Sequence, residues 1–288
     1  MRFLFAVCLL YSLPISAGPA KVIGGQPVKP GEYPEVIRIY SGNSFCTASV
    51  VGPRSILTAA HCTQENGDIV PVSEAAIYRF VVNQTEFRAR CKIAPDYTES
   101  VGDQDMALCY TDREVPVKYA VISRDAPRLG QVMTLIGYGC TQQGGGGGND
   151  GILRTGEAPV SKESSATYYS FHTVGTTALC FGDSGGPTFH RVNDPKGERH
   201  YIAGVASRGN IVDKSLLTAV YHPKSIQFAK DFERLHNTRI CGISASCSSN
   251  PDPDPDPDPD PDPDPDCTNV ILRLELAVYE MKQCYKGK

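Results

Sequence analysis

The sequence predicts an all-β fold, a barrel or a sandwich, and three observations carry that expectation. Between Val22 and Phe232, short runs rich in Val, Ile, Tyr, Phe and Thr recur along the chain. Gly, Pro, Asn or Asp punctuate them, and only one stretch repeats its apolar residues at helical spacing. Many short strands broken by turn residues do not fit an alternating α/β pattern.

The runs in order are EVIRIY (35–40), SVVGPRSILTA (49–59), IYRFVV (77–82), MALCY (106–110), VMTLIGYG (132–139) and YIAGVAS (201–207). Each combines β-branched or aromatic residues with a flanking turn signal, the composition of a half-buried or buried strand. The helix is expected after Ser225, whose hydroxyl suits an N-cap, with Phe228, Phe232 and Leu235 on one face. That face should dock on the barrel.

The N-terminus reads as an export signal over residues 1–17. Met1 and Arg2 precede the apolar run FLFAVCLLYSLPI and the small-residue exit Ser16-Ala17-Gly18. The run is shorter than the roughly 20 residues a membrane-spanning helix needs, so a secreted protein without a transmembrane segment is expected. The whole chain carries a formal charge of -4, but eight aspartates lie in one C-terminal repeat. The rest is nearly balanced, and no basic face for nucleic acid is evident.

Of 11 cysteines, Cys8 lies in the signal. Ten remain, enough for five bridges in an oxidising compartment. The chain has no CxxC pair and only His61 adjoins a cysteine, so neither a metal nor another cofactor is expected.

Chemistry concentrates in three places. ALCFGDSGGP (178–187) holds Ser184 among glycines, TAAHC (58–62) places His61 at the end of a strand-like run, and DQDMALCY (103–110) places Asp105 before one. Each alone has a structural explanation, as a turn serine, a structural histidine or a turn aspartate. Together they supply a nucleophile, a base and an orienting acid.

With VIGG (22–25), TAAHC, DMAL and GDSGGP in this order, the chain resembles the trypsin/chymotrypsin-like serine proteases. The resemblance implies two six-stranded antiparallel β-barrels, a C-terminal helix and an active site in the cleft between the barrels. It assigns catalysis to His61, Asp105 and Ser184 and the oxyanion hole to the amides of Gly182 and Ser184. It also makes residues 18–21 a short activation propeptide: cleavage after Lys21 frees the amine of Val22 to pair with Asp183. The protease domain then spans 22–247. Counting back from Cys180 puts Ala178 at the base of the specificity pocket, with Gly209 and Ala219 as its walls. Ser207 and Gly209 would pair with substrate backbone. An uncharged base implies apolar residues before the cut bond, although Arg208 stands where the family usually has Trp.

The resemblance also pairs cysteines. Cys46 matches the bridge to Cys62, and Cys91 and Cys109 fall on neighbouring strands. Cys180 lacks its usual partner beyond Gly209, and Cys140 lies on a loop that passes nearby, so these two are paired. The glycine run 144–148 then reads as a mobile loop at the cleft rim.

Residues 248–266 form a linker containing eight Pro-Asp repeats, an extended spacer of about 3.1 Å per residue. Calcium ligands on such a rod would not converge. The tail, 267–288, alternates ambiguously between strand and helix, and it is either a tethered module or a segment folded onto the protease. If the spacer is extended, Cys241 pairs with Cys247 and Cys267 with Cys284. A secreted serine endopeptidase is the favoured function, with protein or peptide substrates and an activating protease as partners and a protein inhibitor as a further candidate. A secreted binding or adhesion protein on the same fold is the alternative.

Overall fold

The computed structural model describes residues 22–63, 77–98, 100, 103–148, 150–194, 197–244 and 247. The signal, the propeptide, the Pro-Asp linker and the tail, with Lys21, Cys267 and Cys284, lie outside the described residues.

After a short β1 (Gln26–Pro27), six strands close into a barrel: β2 (Val36–Ser41), β3 (Ser44–Gly52), β4 (Ser55–Thr58), β5 (Tyr78–Val82), β6 (Thr85–Ile93) and β7 (Ala107–Thr111). They pair antiparallel in the cyclic order β2-β3-β4-β7-β6-β5. The run 49–59 is therefore two strands, turned at Pro53-Arg54. β5 and β6 form a hairpin in which Asn83 and Gln84 have φ of 48° and 64°. Two consecutive left-handed residues match the right-handed twist of the strands they join. Burial alternates along β5, and Tyr78, Phe80 and Val82 point inward with Phe87, Ile37, Ile39 and Ile56.

β8 (Val121–Ile122) leads to the second barrel, made of β9 (Val132–Gly137), β10 (Arg154–Lys162), β11 (Ser170–Val174), β12 (Pro187–Asp194), β13 (Gly197–Gly209) and β14 (Lys214–Ala219). Its order is β10-β11-β14-β13-β12-β9, closed by the β9–β10 pairing, with β1 and β8 on its outside. Both barrels are antiparallel, and only β8 runs parallel to its neighbour. Met133, Leu135, Val160, Phe171 and Leu217 fill the second barrel. A separate core joins the barrels to the helix through Leu57, Met106, Leu108, Ile136, Phe189 and Val205.

The helix, α1 (Pro223–His236), corrects the expected cap. His222, not Ser225, holds the extended N-cap conformation, its Nδ1 accepting from the amide of Lys224 at 3.3 Å with Pro223 opening the helix. Ser225 is instead fully buried, its hydroxyl meeting Gln104 at 3.2 Å. Phe228 and Phe232 face the core as expected, but Leu235 is exposed. In its place Glu233 turns inward, and its Oε1 accepts from the amide of Ile240 at 2.6 Å and the hydroxyl of Ser244 at 2.7 Å. These bonds fix the chain leaving the helix. That chain then passes so close to Gly52 that a Cβ there would lie 1.9 Å from the Arg239 carbonyl oxygen.

Candidate active site

Each of the three chemical residues sits just outside a strand end, where its backbone is free to turn while the barrel holds its base. His61 lies in a single 3-10 turn, Ala60–Thr63, which follows β4. Asp105 precedes β7, which pairs with β4, so the two residues come from adjacent strands of the first barrel. Ser184 comes from the second barrel, ahead of β12.

Asp105 grips His61 twice. Its Oδ1 accepts the backbone amide of His61 at 3.0 Å and its Oδ2 lies 2.7 Å from Nδ1. A third donor, the hydroxyl of Ser207 on β13, reaches Oδ2 at 2.5 Å. Asp105 is wholly buried. Burial alone would raise its pKa, but the bonds from His61 and Ser207 outweigh it and hold the carboxyl below its ordinary range. With the carboxylate accepting at Nδ1, the imidazole proton belongs there and Nε2 is left as an acceptor. Cys62, bonded to Cys46, anchors this turn to β3.

The serine loop is seated on the first barrel by Thr47. Its amide donates to the Ser184 carbonyl at 2.8 Å, and its hydroxyl donates to the Gly182 carbonyl at 2.8 Å while accepting from the amide of Tyr138 at 3.1 Å. Gly185, with φ of 79°, packs so closely that a Cβ would lie 2.1 Å from the Thr58 hydroxyl. The density of glycine around Ser184 is thus a requirement of close barrel-to-barrel contact. Gly182 has φ of 96°, and a Cβ there would lie 2.9 Å from the Phe45 ring and 3.0 Å from the Gly139 Cα.

Asp183 is fully buried behind the loop, its Oδ1 accepting from Gly139 and its Oδ2 from Cys180, each at 2.8 Å. Burial pushes its pKa to about 7, against the opposing pull of those amides and the charge of Arg154. Val22 is equally buried, with φ of 49°, a value rare for a β-branched residue. The segment it begins runs beside 176–178: Ala178 donates to the Ile23 carbonyl at 3.1 Å, and a Cβ on Gly24 would lie 2.0 Å from the Thr176 oxygen.

A cavity of about 560 Å³ brings together His61, Ser184, Gly182, Ser207, Arg208 and Gly209. Its wall differs from the expected one. Ala178 and Ala219 are fully buried and do not line it; Ala178 packs with Ile23 and the Cys140–Cys180 pair, and Ala219 with Leu217 and Ala206. Leu179, Phe181 and Ile211 line the cavity instead. The amide of Leu179 is held by the hydroxyl of buried Ser215 at 3.0 Å. Arg208 contributes a cation to the wall, its Nη2 lying 3.4 Å from Asp103 and its Nε donating to the Ser207 hydroxyl at 3.3 Å.

Four bridges are formed among the described cysteines: Cys46–Cys62, Cys91–Cys109, Cys140–Cys180 and Cys241–Cys247. The glycine run has a definite form. Gly146 accepts from both Thr141 and Gln142, Gly145 donates to Gln142, and Gly144 donates to Ile211.

The sequence has relatives among known proteins. A model of the family described as Trypsin matches residues 22–229. The chain is 27% identical over 232 residues to a trypsin-like protease of Streptomyces glaucescens, covering 76% of this chain and 83% of that protein. It is 26% identical over 221 residues to the alkaline A trypsin of Manduca sexta, covering 66% and 86%, and 26% identical over 186 residues to the brachyurin of Leptuca pugilator, covering 58% and 80%. Two closed antiparallel barrels, a histidine and an aspartate from one and a serine from the other, and a family match over most of its length make this chain a member of the trypsin family of serine endopeptidases.

Proposed function

We propose that this protein is a secreted endopeptidase made as an inactive precursor, activated by cleavage after Lys21, which cuts after apolar residues. The double grip of a buried Asp105 on His61 is the observation that carries the catalytic reading. Ser184 Oγ attacks the scissile carbonyl carbon as its proton passes to His61 Nε2. Asp105 holds the imidazole in the accepting tautomer and stabilises the imidazolium that forms. The amides of Gly182 and Ser184 donate to the oxygen as it gains charge. His61 then returns the proton to the leaving nitrogen, the C–N bond breaks, and water admitted to the same position hydrolyses the acyl ester.

Two observations support activation by cleavage. Asp183 is a buried carboxylate raised to about 7, a state that a cation placed beside it would relieve. Val22 is buried in a left-handed conformation that costs on the order of 1–3 kcal/mol, which a cut at its amine releases. For specificity, the neutral lining by Leu179 and Ile211 beside Gly209 favours an apolar side chain. In the test, Ser184→Ala protein, purified uncut and after cleavage at Lys21, is compared with wild type on a peptide amide. The variant should lose about 10^6 in kcat while keeping its melting temperature. Activity within tenfold of wild type would refute the assignment.

A further inference from the structure

We infer that Cys140 and Cys180 are positioning residues of the oxyanion hole: their disulfide clamps together the two segments that orient the Gly182 amide. The inference rests on the catalytic reading above and names what holds that site in shape.

The bridge joins positions 40 residues apart, Cα to Cα 5.2 Å. One end, Cys180, lies four residues before Ser184, and the other follows β9. Each end carries one arm of the grip on Asp183. Cys180 gives its own amide to Oδ2, and Gly139, the neighbour of Cys140, gives its amide to Oδ1. Without the bridge, only hydrogen bonds and packing would keep the segments together.

A third contact makes the consequence chemical. The amide of Cys140 donates to the Phe181 carbonyl at 2.8 Å. That carbonyl belongs to the same peptide unit as the Gly182 N–H. The structure has no cis peptide among its described bonds, and in a planar trans unit the C=O and N–H point in opposite directions. Holding the carbonyl at Cys140 therefore turns the Gly182 N–H the other way, toward the cleft that Gly182 lines. A glycine crosses φ/ψ space easily, so this peptide has little intrinsic resistance to rotation. The cystine fixes the donor that prevents it. Ile211 from the β13–β14 turn packs over the same cluster, and its carbonyl takes the amide of Gly144, so the loop bearing Cys140 is braced from outside as well.

The test compares two bridge deletions in the full chain, each activated by cleavage after Lys21. Cys140→Ala/Cys180→Ala removes the clamp. Cys91→Ala/Cys109→Ala removes a bridge between directly opposed residues of β6 and β7 in the wall of the first barrel. Readouts are kcat and KM on a peptide anilide and the affinity for a peptide aldehyde, whose tetrahedral adduct places an oxygen in the oxyanion hole. Loss of one donor of this kind costs about 10^2- to 10^3-fold in kcat. The Cys140/Cys180 variant should lose at least 10^2 in kcat and a comparable factor in aldehyde affinity, with KM changed less than threefold. The Cys91/Cys109 variant should melt lower yet keep kcat within threefold.

Unchanged kcat and aldehyde affinity in the first variant, or an equal loss in both, would overturn the inference. If the first variant does not fold, the native protein is treated with a dithiol, which reduces the cystine to two thiols as it closes to its own disulfide. Activity should fall as peptide mapping shows this bridge open, and should return on reoxidation; full activity with it open overturns the inference. A wild-type protein that hydrolyses no peptide amide overturns the proposed function itself, and the inference with it.

Discussion

The pH dependence of stability separates the uncut chain from the cut one. Asp183 is fully buried, and its pKa stands at about 7 against an ordinary 3.8. Between those values the folded chain keeps a proton that the unfolded chain has released, so the folded state binds more protons and stability falls as pH rises from about 4 to 7. That difference is worth on the order of 4 kcal/mol once the carboxylate is ionised in both states. If cleavage after Lys21 seats the Val22 ammonium beside Asp183, the pKa drops and this loss disappears. At neutral pH the cut form should then melt roughly 10 °C above the uncut one, since about 1 kcal/mol moves the melting temperature of a domain this size by some 2–4 °C. Toward pH 4 the uncut chain no longer bears this loss, and the gap should narrow. The assay is a melting series from pH 3.5 to 8 on Ser184→Ala protein, cut, against a Ser184→Ala/Lys21→Gln chain that stays uncut. Equal melting temperatures at pH 7.5, or a gap independent of pH, would refute the pairing.

Other outcomes follow from the same geometry. Ser207→Ala removes a hydrogen bond to the Asp105 carboxylate, an interaction worth about 1.5–3 kcal/mol, so kcat should fall roughly ten- to hundredfold with KM little changed. An unaltered kcat would show that the two donors from His61 suffice. In a peptide library, cleavage after Leu, Val or Phe should exceed cleavage after Lys or Arg by more than tenfold, because no carboxylate among the described residues lines the cavity near Leu179 and Ile211. Predominant cleavage after Arg would show that a different wall receives the side chain.

What was legible in the sequence was whatever a short motif carries within itself. His61, Asp105 and Ser184 were legible because each lies in a tight turn whose neighbours, Cys62, the apolar run after Asp105 and the glycines around Ser184, are local. Strands of the second barrel were harder. β10 contains Gly156 and Pro159 and exposes Glu157, Ser161 and Lys162, so it lacks the apolar density that marks a strand although β9 and β11 pair with it along its length. The helix cap was misplaced because a histidine is an uncommon cap, whereas Ser225 three residues on has the favoured chemistry. The cleft wall was misread for a geometric reason. Counting from Cys180 locates a position but not the direction of its side chain, and Ala178 packs toward Ile23 while Leu179 meets the cavity. Ser207 could be placed near substrate from its motif, but its bond to Asp105 spans 102 residues and exists only in the fold.

Hydrogen bonds, not a disulfide, hold the turn beyond Gly209 beside the cleft. The turn beyond Gly209 has no cysteine to tie it to Cys180, and other interactions hold it. Asn210 Oδ1 accepts the amides of Val212, Asp213 and Lys214 at 2.9–3.0 Å, and its Nδ2 donates to Asp213 at 2.7 Å. This turn forces Ile211 to φ of 58°, a costly value for a β-branched residue, and the return is that its side chain seals against the cystine while lining the cavity. The covalent link in this region joins Cys180 to the loop after β9, and the cavity wall at Ile211 is held by noncovalent contacts. Small rotations of Ile211 would let such a wall take side chains of different size, whereas the peptide unit of the Gly182 N–H turns only by breaking the bond between the Phe181 carbonyl and the Cys140 amide. Side-chain changes at Ile211 should therefore act first on specificity, while its carbonyl, which takes the Gly144 amide, keeps bracing the Cys140 loop.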